Sequence, residues 1–161
     1  MPLQLRPTTE ADLSFVIHAE QHPDNRRFIA CWSDAQHTDA LHNRDISHLI
    51  VARTSDSHPV GYVIIAGITN LHQNVELCRI VITEKAQGYG QRAIQLVQAY
   101  TFDVLKAHRL WLDVKEANLR AQHVYRRQGF VVEGTLRESF KADGIFESLI
   151  IMSILEQEYR R

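Results

Sequence analysis

Apolar and polar positions recur with two different periods along this chain, and each change of period marks an element. Residues 3–6 read as a short strand closed by Pro7. Thr8 or Thr9 then stands where it can cap a helix, with Glu10 and Asp12 in the first turn, where acidic side chains suit the helix dipole. Leu13, Val16, Ile17 and Glu20 follow at helical spacing and predict an inner face of about two turns. Pro23-Asp24-Asn25 is expected to break that helix, and short helices are expected over residues 26–32 and 34–43. Strand patterns take over at residues 48–52, 60–66 and 75–82, separated by polar turns, and three strands with short links predict an antiparallel meander. Beyond Gly88 and Gly90 the spacing of Ala93, Ile94, Val97, Tyr100, Thr101, Val104 and Leu105 predicts a long helix with a broad buried stripe. Residues 110–114 read as a strand. Asn118 is placed to cap a further helix with Ala121, Val124 and Tyr125 inside, and Gly129 to end it. Residues 130–140 and 145–155 are strands around Asp143-Gly144, a hairpin dipeptide. The expected fold is α+β, a single domain over residues 1–161, with a central mixed, mostly antiparallel sheet flanked by helices.

Composition narrows the field. A chain of 161 residues with 45% apolar and 23% charged side chains has the balance of an ordinary globular domain. Eighteen basic residues against nineteen acidic ones leave no bulk positive charge, so a nucleic-acid partner is not expected. The longest apolar stretch, residues 60–68, is interrupted by Gly61 and Gly67 and is too short to span a bilayer. With no secretory pattern at the N-terminus, no membrane partner and a cytoplasmic location are expected. Cys31 and Cys78 form no disulfide framework and read as reduced packing residues. No metal site is expected.

The sharpest local feature is residues 81–90, Val-Ile-Thr-Glu-Lys-Ala-Gln-Gly-Tyr-Gly, between a strand and a helix. Glycines let a backbone approach a ligand without an intervening Cβ, and a helix start offers unpaired N–H groups that suit a phosphate. Gly88-Tyr89-Gly90-Gln91-Arg92-Ala93 also satisfies a dinucleotide fingerprint, with Asp113 further along at a strand end. The surroundings oppose a dinucleotide domain. A meander precedes the loop, and a single further helix and a hairpin follow Asp113, where repeated β-α-β units would be needed.

Two blocks in order and at matching spacing carry a resemblance. Lys85-Ala86-Gln87-Gly88-Tyr89-Gly90 is similar to the [Q/R]-x-x-G-x-[G/A] loop of the GCN5-related N-acetyltransferase superfamily. Residues 118–130 have its N-x-x-A-x-x-x-Y-x-x-x-G-F form in Asn118, Ala121, Tyr125, Gly129 and Phe130. Residues 133–137 and the final strand resemble the branch of ribosomal-protein N-terminal and spermidine acetyltransferases. Lys85 departs from the family's Arg or Gln and brings a point charge in place of a fork.

The resemblance implies acetyl-CoA as co-substrate, without a metal, and direct transfer of an acetyl group to a primary amine of a small molecule, a polyamine or a peptide N-terminus. Its implied diphosphate site is the backbone of Gln87, Gly88, Tyr89, Gly90 and Gln91. The strand Ile80-Val81-Ile82 is expected to pair with the pantetheine arm, an N–H there polarising the thioester carbonyl, and Asn118 to contact the cofactor. Tyr125, two turns from Asn118 on the same helix face, is the expected acid for the leaving thiolate. Glu76 is the expected base, on a strand face shared with Cys78, Ile80 and Ile82 that would raise its pKa; Glu147 is a rival. Arg26, Arg27 and Trp32 are the candidate substrate contacts. The final strand is apolar on both faces, and a homodimer is expected with that strand or its hairpin near the interface. A non-catalytic acyl-CoA sensor and a dinucleotide-binding protein are the alternatives.

Overall fold

A computed structural model describes residues 2–161. The strands are β1 (Leu3–Pro7), β2 (Ile46–Arg53), β3 (Pro59–Ala66), β4 (Asn74–Ile82), β5 (Arg109–Lys115), β6 (Val131–Ala142) and β7 (Ile145–Leu155). The helices are α1 (Leu13–Gln21), α2 (Pro23–Arg26), α3 (Asp34–Leu41), α4 (Tyr89–Ala99), α5 (Leu119–Arg127) and α6 (Glu156–Tyr159). One seven-stranded sheet runs in the order β1-β2-β3-β4-β5-β7-β6. Every pairing is antiparallel except β4 with β5, the pair joined by α4 as crossover. Val97, Phe102, Leu110 and Tyr125 share the core on the α4–α5 face, and Val16, Ala19, Tyr62 and Val81 the core on the face of α1. No helix among the described residues is long and apolar enough to cross a membrane.

The break expected at Pro23 forms: α1 ends at Gln21, with His22 extended before the proline, so His18 and His22 are not a pair on one helix. Pro23 also opens α2, where its fixed φ suits the first helical position and the Asp24 N–H donates to His22 Nδ1 at 3.2 Å. Other expectations need correction. The helix expected over residues 26–32 does not form. Residues 27–33 are irregular because the carbonyls of Arg27 and Ala30 accept from Lys115 and Arg79 of the sheet. The last strand in sequence is not an edge strand of the sheet: β7 lies between β5 and β6. Ile150, Met152 and Ile154 face the α4–α5 core, while Leu149 and Ile151 on the opposite face are half-buried. Exposed large apolar side chains cluster on the hairpin at Val131, Val132, Leu136, Ile145 and Phe146, with Leu71, Val104 and Leu119 exposed elsewhere. Finally, Cys31 is exposed, while Cys78 is half-buried against the α1 core.

Beneath α1 lies a buried polar chain. Glu20, with no exposure to solvent, accepts from Tyr62 Oη at 2.6 Å, Arg79 Nη1 at 2.8 Å and the Trp32 N–H at 2.7 Å. His37 Nε2 lies 2.9 Å from Glu20, His37 Nδ1 lies 3.0 Å from His48 Nε2, and His48 Nδ1 lies 2.8 Å from Thr8 Oγ1. A carboxylate only accepts, so His37 donates to Glu20 through Nε2, and the roles of His37 Nδ1, His48 and Thr8 further along follow the tautomers of the two rings. Burial alone would push the Glu20 carboxyl up; the hydrogen bonds from His37, Tyr62 and Trp32 and the Arg79 charge together hold it below the usual range.

Burial, reinforced by charge at His37, depresses His48 from 6.5 to about 4. Below pH 6.5 the unfolded chain takes up a proton here that the folded chain refuses, so stability present at neutral pH is lost as pH falls toward 4. The loss from this group is about 3 kcal/mol. Urea unfolding of the wild type and His48→Gln across pH 4.5–7 checks this. The variant should lose less stability on acidification, and equal slopes would assign the acid sensitivity to other groups.

Candidate active site

The loop after β4 turns through two left-handed residues, Ala86 at φ 60° and Gly88 at φ 74°. Gly88 is the N-cap of α4 and brings no side chain to cap it. Among the described residues, the N–H groups of residues 87–91 find no backbone acceptor; the first bonded amide is that of Arg92, 3.2 Å from Gly88 O. A Cβ built on Gly88 or Gly90 meets no protein atom within 4 Å. The result is an open concavity of unpaired donors at the positive end of an eleven-residue helix, chemistry that fits a diphosphate. The Tyr89 ring, by contrast, is buried in the α4 core, leaving its backbone as the part that faces the loop. Lys85 does not act as the loop's free cation: its Nζ donates to Asn25 Oδ1 at 2.6 Å.

Because the space beside Gly90 is empty and its φ is not left-handed, Gly90→Val folds, and it puts a branched side chain in the concavity. Affinity for CoA falls by about tenfold or more, roughly 1.4 kcal/mol. Calorimetry with CoA tests this, and unchanged affinity would reduce the loop to a turn.

β4 and β5 pair only from Asn74 to Glu76 against Arg109 to Trp111, and beyond those residues they part. The partition is sharpened by a bulge in β4, where Ile64 pairs with Arg79 but Ile65 with Leu77. This corrects the expected face. Cys78 packs on the α1 side, but past the bulge Ile80 and Ile82 turn to the α4 core and Val81 to the α1 core. Ile80, Val81 and Ile82 line the free edge of the split, since their other edge is paired with β3.

Glu76 and Cys78 of β4 and Asp113 of β5 share the α1 side of the split. Burial, then the charge of Asp113, pushes the Glu76 carboxyl above its ordinary value. Burial pushes the Cys78 thiol up to about 12, with Glu76 beside it adding to the shift, and burial also raises Asp113. Glu147, the rival base, is 3.0 Å from Lys115 Nζ in an ion pair.

Tyr125 reaches this region from α5. The Asn118 side chain accepts the Ala121 N–H at 3.2 Å and closes the helix start. At the other end Gly129, at φ 94°, lets its own N–H bond Arg126 O at 3.0 Å and the Phe130 N–H bond Tyr125 O at 3.1 Å. Phe130 then lies edge-on to the Tyr125 ring, centroids 5.7 Å apart. Tyr125 is 9% exposed and its hydroxyl has no hydrogen-bond partner among the described residues. Burial, with the charge of Asp113, pushes it up to about 12, so it stays a neutral donor.

The candidate substrate residues divide. Arg26 ends α2 and Arg27 follows it; both side chains are exposed, with the Arg27 guanidinium 4.6 Å from the Phe28 ring centroid. Trp32 packs against the α1 core, with the Arg79 guanidinium 5.0 Å from its ring centroid. Sequence reasoning missed Arg79, Lys115 and Glu20, charged residues at positions that looked apolar or structural, and weighed Asp113 only as part of a dinucleotide fingerprint.

Comparison with known proteins agrees with this geometry. The model of the Acetyltransferase (GNAT) family matches residues 13–130. Spermidine N(1)-acetyltransferase of Escherichia coli (strain K12) is 30% identical over 167 residues, covering 98% of this chain and 88% of that protein. The protein of the same name from Vibrio cholerae serotype O1 is 27% identical over 167 residues, covering 98% and 95%. The crystal structure of spermidine N-acetyltransferase from Vibrio cholerae in complex with CoA and spermine shares the fold, with a TM-score of 0.88 at 24% identity over 99% of this chain and 98% of that one. A capped helix carrying a neutral phenol, a glycine-lined helix start and a sheet split between β4 and β5 thus occur in a sequence whose relatives are aligned almost end to end: this chain belongs to the acetyltransferase (GNAT) family.

Proposed function

We propose that this N-acetyltransferase moves the acetyl group of acetyl-CoA onto a primary amine of a polyamine. The observation that carries the reading is the split between β4 and β5, with carboxyl groups on one side of the sheet and the unpartnered Tyr125 hydroxyl arriving from the other. The unpaired amides of residues 87–91 hold the diphosphate, and the free edge of Ile80–Ile82 holds the pantetheine arm. Acetyl-CoA, when bound, supplies the thioester to be attacked.

The chain's own groups do the rest. Glu76 and Asp113 attract the substrate ammonium, whose charge relieves their mutual repulsion. Glu76, with its raised pKa, is better matched to taking a proton from that ammonium than an ordinary carboxylate is. Tyr125 donates to the sulfur as it leaves. The spermidine acetyltransferase relatives support the polyamine class, and Glu76 and Asp113 are the carboxyl groups that would meet its ammonium.

The test is to incubate the protein with acetyl-CoA and a panel of polyamines, other small amines and N-terminal peptides, and to follow free thiol. Thiol release with spermidine or spermine is the expected result. Release with peptides alone would move the assignment to protein N-termini. Silence across the panel despite CoA binding would favour an acyl-CoA sensor, and binding of NAD with none of CoA a dinucleotide protein.

A further inference from the structure

We infer that residues 27–30 form a tethered strap across the acceptor side of the β4–β5 split, and that Lys115 is the positioning residue that sets how closely it lies. The inference rests on the reading that the acetyl group is delivered at this split.

The segment from Arg27 to Ser33 has no helix or strand to satisfy it, yet it is not left to solvent. Lys115 Nζ donates to Arg27 O at 2.9 Å, and Arg79 Nη2 donates to Ala30 O. The Trp32 N–H goes to Glu20, and Lys85 holds Asn25 just upstream. Two cations of the sheet therefore do for this segment what backbone pairing does elsewhere, and Lys85 of the glycine loop holds the short helix before it. Their positions are informative. Arg79 stands in β4 immediately after the bulge, and Lys115 ends β5. Those are the strands that part beyond Glu76 and Trp111. A segment anchored to Arg79 near one end and to Lys115 near the other spans the opening between them, on the side that carries Glu76, Cys78 and Asp113.

Lys115 is fixed from its far side as well. It is buried, 3.0 Å from Glu147 of β7 and 4.7 Å from the Phe140 ring centroid of β6. Its ammonium thus ties the strap to the hairpin. An amine entering from the α1 side passes beneath residues 27–30 to reach Glu76, so the height of the strap bounds the bulk of amine admitted. Lys115 touches none of the reacting atoms; it acts through the strap. Losing one side-chain tether frees this irregular segment without removing any ladder bond of the sheet.

The experiment uses the full chain with Lys115→Met and Lys115→Arg, checked for folding by circular dichroism. The Met variant leaves Glu147 part-exposed, where water can solvate it. Tryptic cleavage after the exposed Arg26 and Arg27 should run faster in Lys115→Met and return toward the wild-type rate in Lys115→Arg. Steady-state kinetics with a diamine, spermidine and spermine should show amine KM values changed on the order of threefold to tenfold and their ranking altered, with the acetyl-CoA KM unmoved and the Arg variant restored. Unchanged cleavage overturns the tether. Faster cleavage with unaltered amine KM values, or with acetyl-CoA and amine KM values moving together, overturns the role in acceptor selection. If the wild type acetylates no amine while cleavage responds, the proposed function fails and the tether stands. Should Lys115→Met not fold, Arg79→Lys loosens the strap's other end while keeping a charge for Glu20, and the same readouts decide.

Discussion

Tyr125→Phe lowers kcat by roughly 10²-fold, within the range of general acid catalysis, and leaves the acetyl-CoA KM in place. The substitution removes one oxygen. The ring keeps its edge-on contact with Phe130 and its place in the core, and the closures of α5 at Asn118 and Gly129 involve backbone atoms of residue 125 only. Nothing in the protein loses a hydrogen bond, because the hydroxyl makes none among the described residues. The oxygen's use is therefore sought in the reaction. With its pKa held at about 12, the phenol is in its donor form throughout the working pH range, as the proposed role of acid toward the leaving sulfur requires. Stopped-time thiol assays at saturating acetyl-CoA measure the effect. A Phe variant with wild-type kcat would take Tyr125 out of the chemistry and leave it a core residue.

Glu20→Ala destabilises the fold by about 3–5 kcal/mol, the usual consequence of deleting one partner of a buried charge pair. That is a large share of the stability of an ordinary domain, about 5–15 kcal/mol. The deletion strands Arg79 in the interior and removes the acceptor for Tyr62, His37 and the Trp32 N–H. Urea denaturation midpoints test the value, and the comparison with Glu20→Leu/Arg79→Met separates causes. If the cost of Glu20→Ala comes from an orphaned charge, the apolar pair recovers most of it, since replacing both partners is often close to neutral. A single variant as stable as the wild type would show that water reaches Arg79 and that the chain from Glu20 to Thr8 is ornamental.

Much of the candidate site was legible because its key residues act through the backbone. The Asn118 and Gly129 of the N-x-x-A-x-x-x-Y-x-x-x-G-F block turn out to be the two ends of α5, one a side-chain cap and the other a left-handed closure, so the motif encodes how Tyr125 is held. The glycine loop was legible for the same reason: Gly88 needs a positive φ and Gly90 needs emptiness. What escaped was everything decided by long-range pairing. Glu20 fits a helical stripe as well as Ile17 does, and its spacing carries no sign of the Arg79 that meets it from 59 residues away. The strict alternation assumed for β4 fails at a bulge that only its pairing with β3 creates, and so the face assigned to Ile80 and Ile82 was wrong. The position of β7 could not be read either, because hydrophobic patterning reports which faces a strand buries and not which strands pair along its edges.

That late insertion bears on how the molecule assembles. β1, β2, β3 and β4 are neighbours in sequence and in the sheet, so they can pair as soon as they are made. β5 pairs with β7, which begins thirty residues further on at Ile145, after α5 and β6. Between the two groups runs a seam of backbone bonds over residues 73–76 and 108–111. The chain thus resembles two cooperative units joined along a short suture, and sub-global opening would begin there. The suture ends at Glu76. The place where the sheet is least well sewn is therefore the place proposed to receive the acyl group, and the same missing ladder makes this the softest line in the native state.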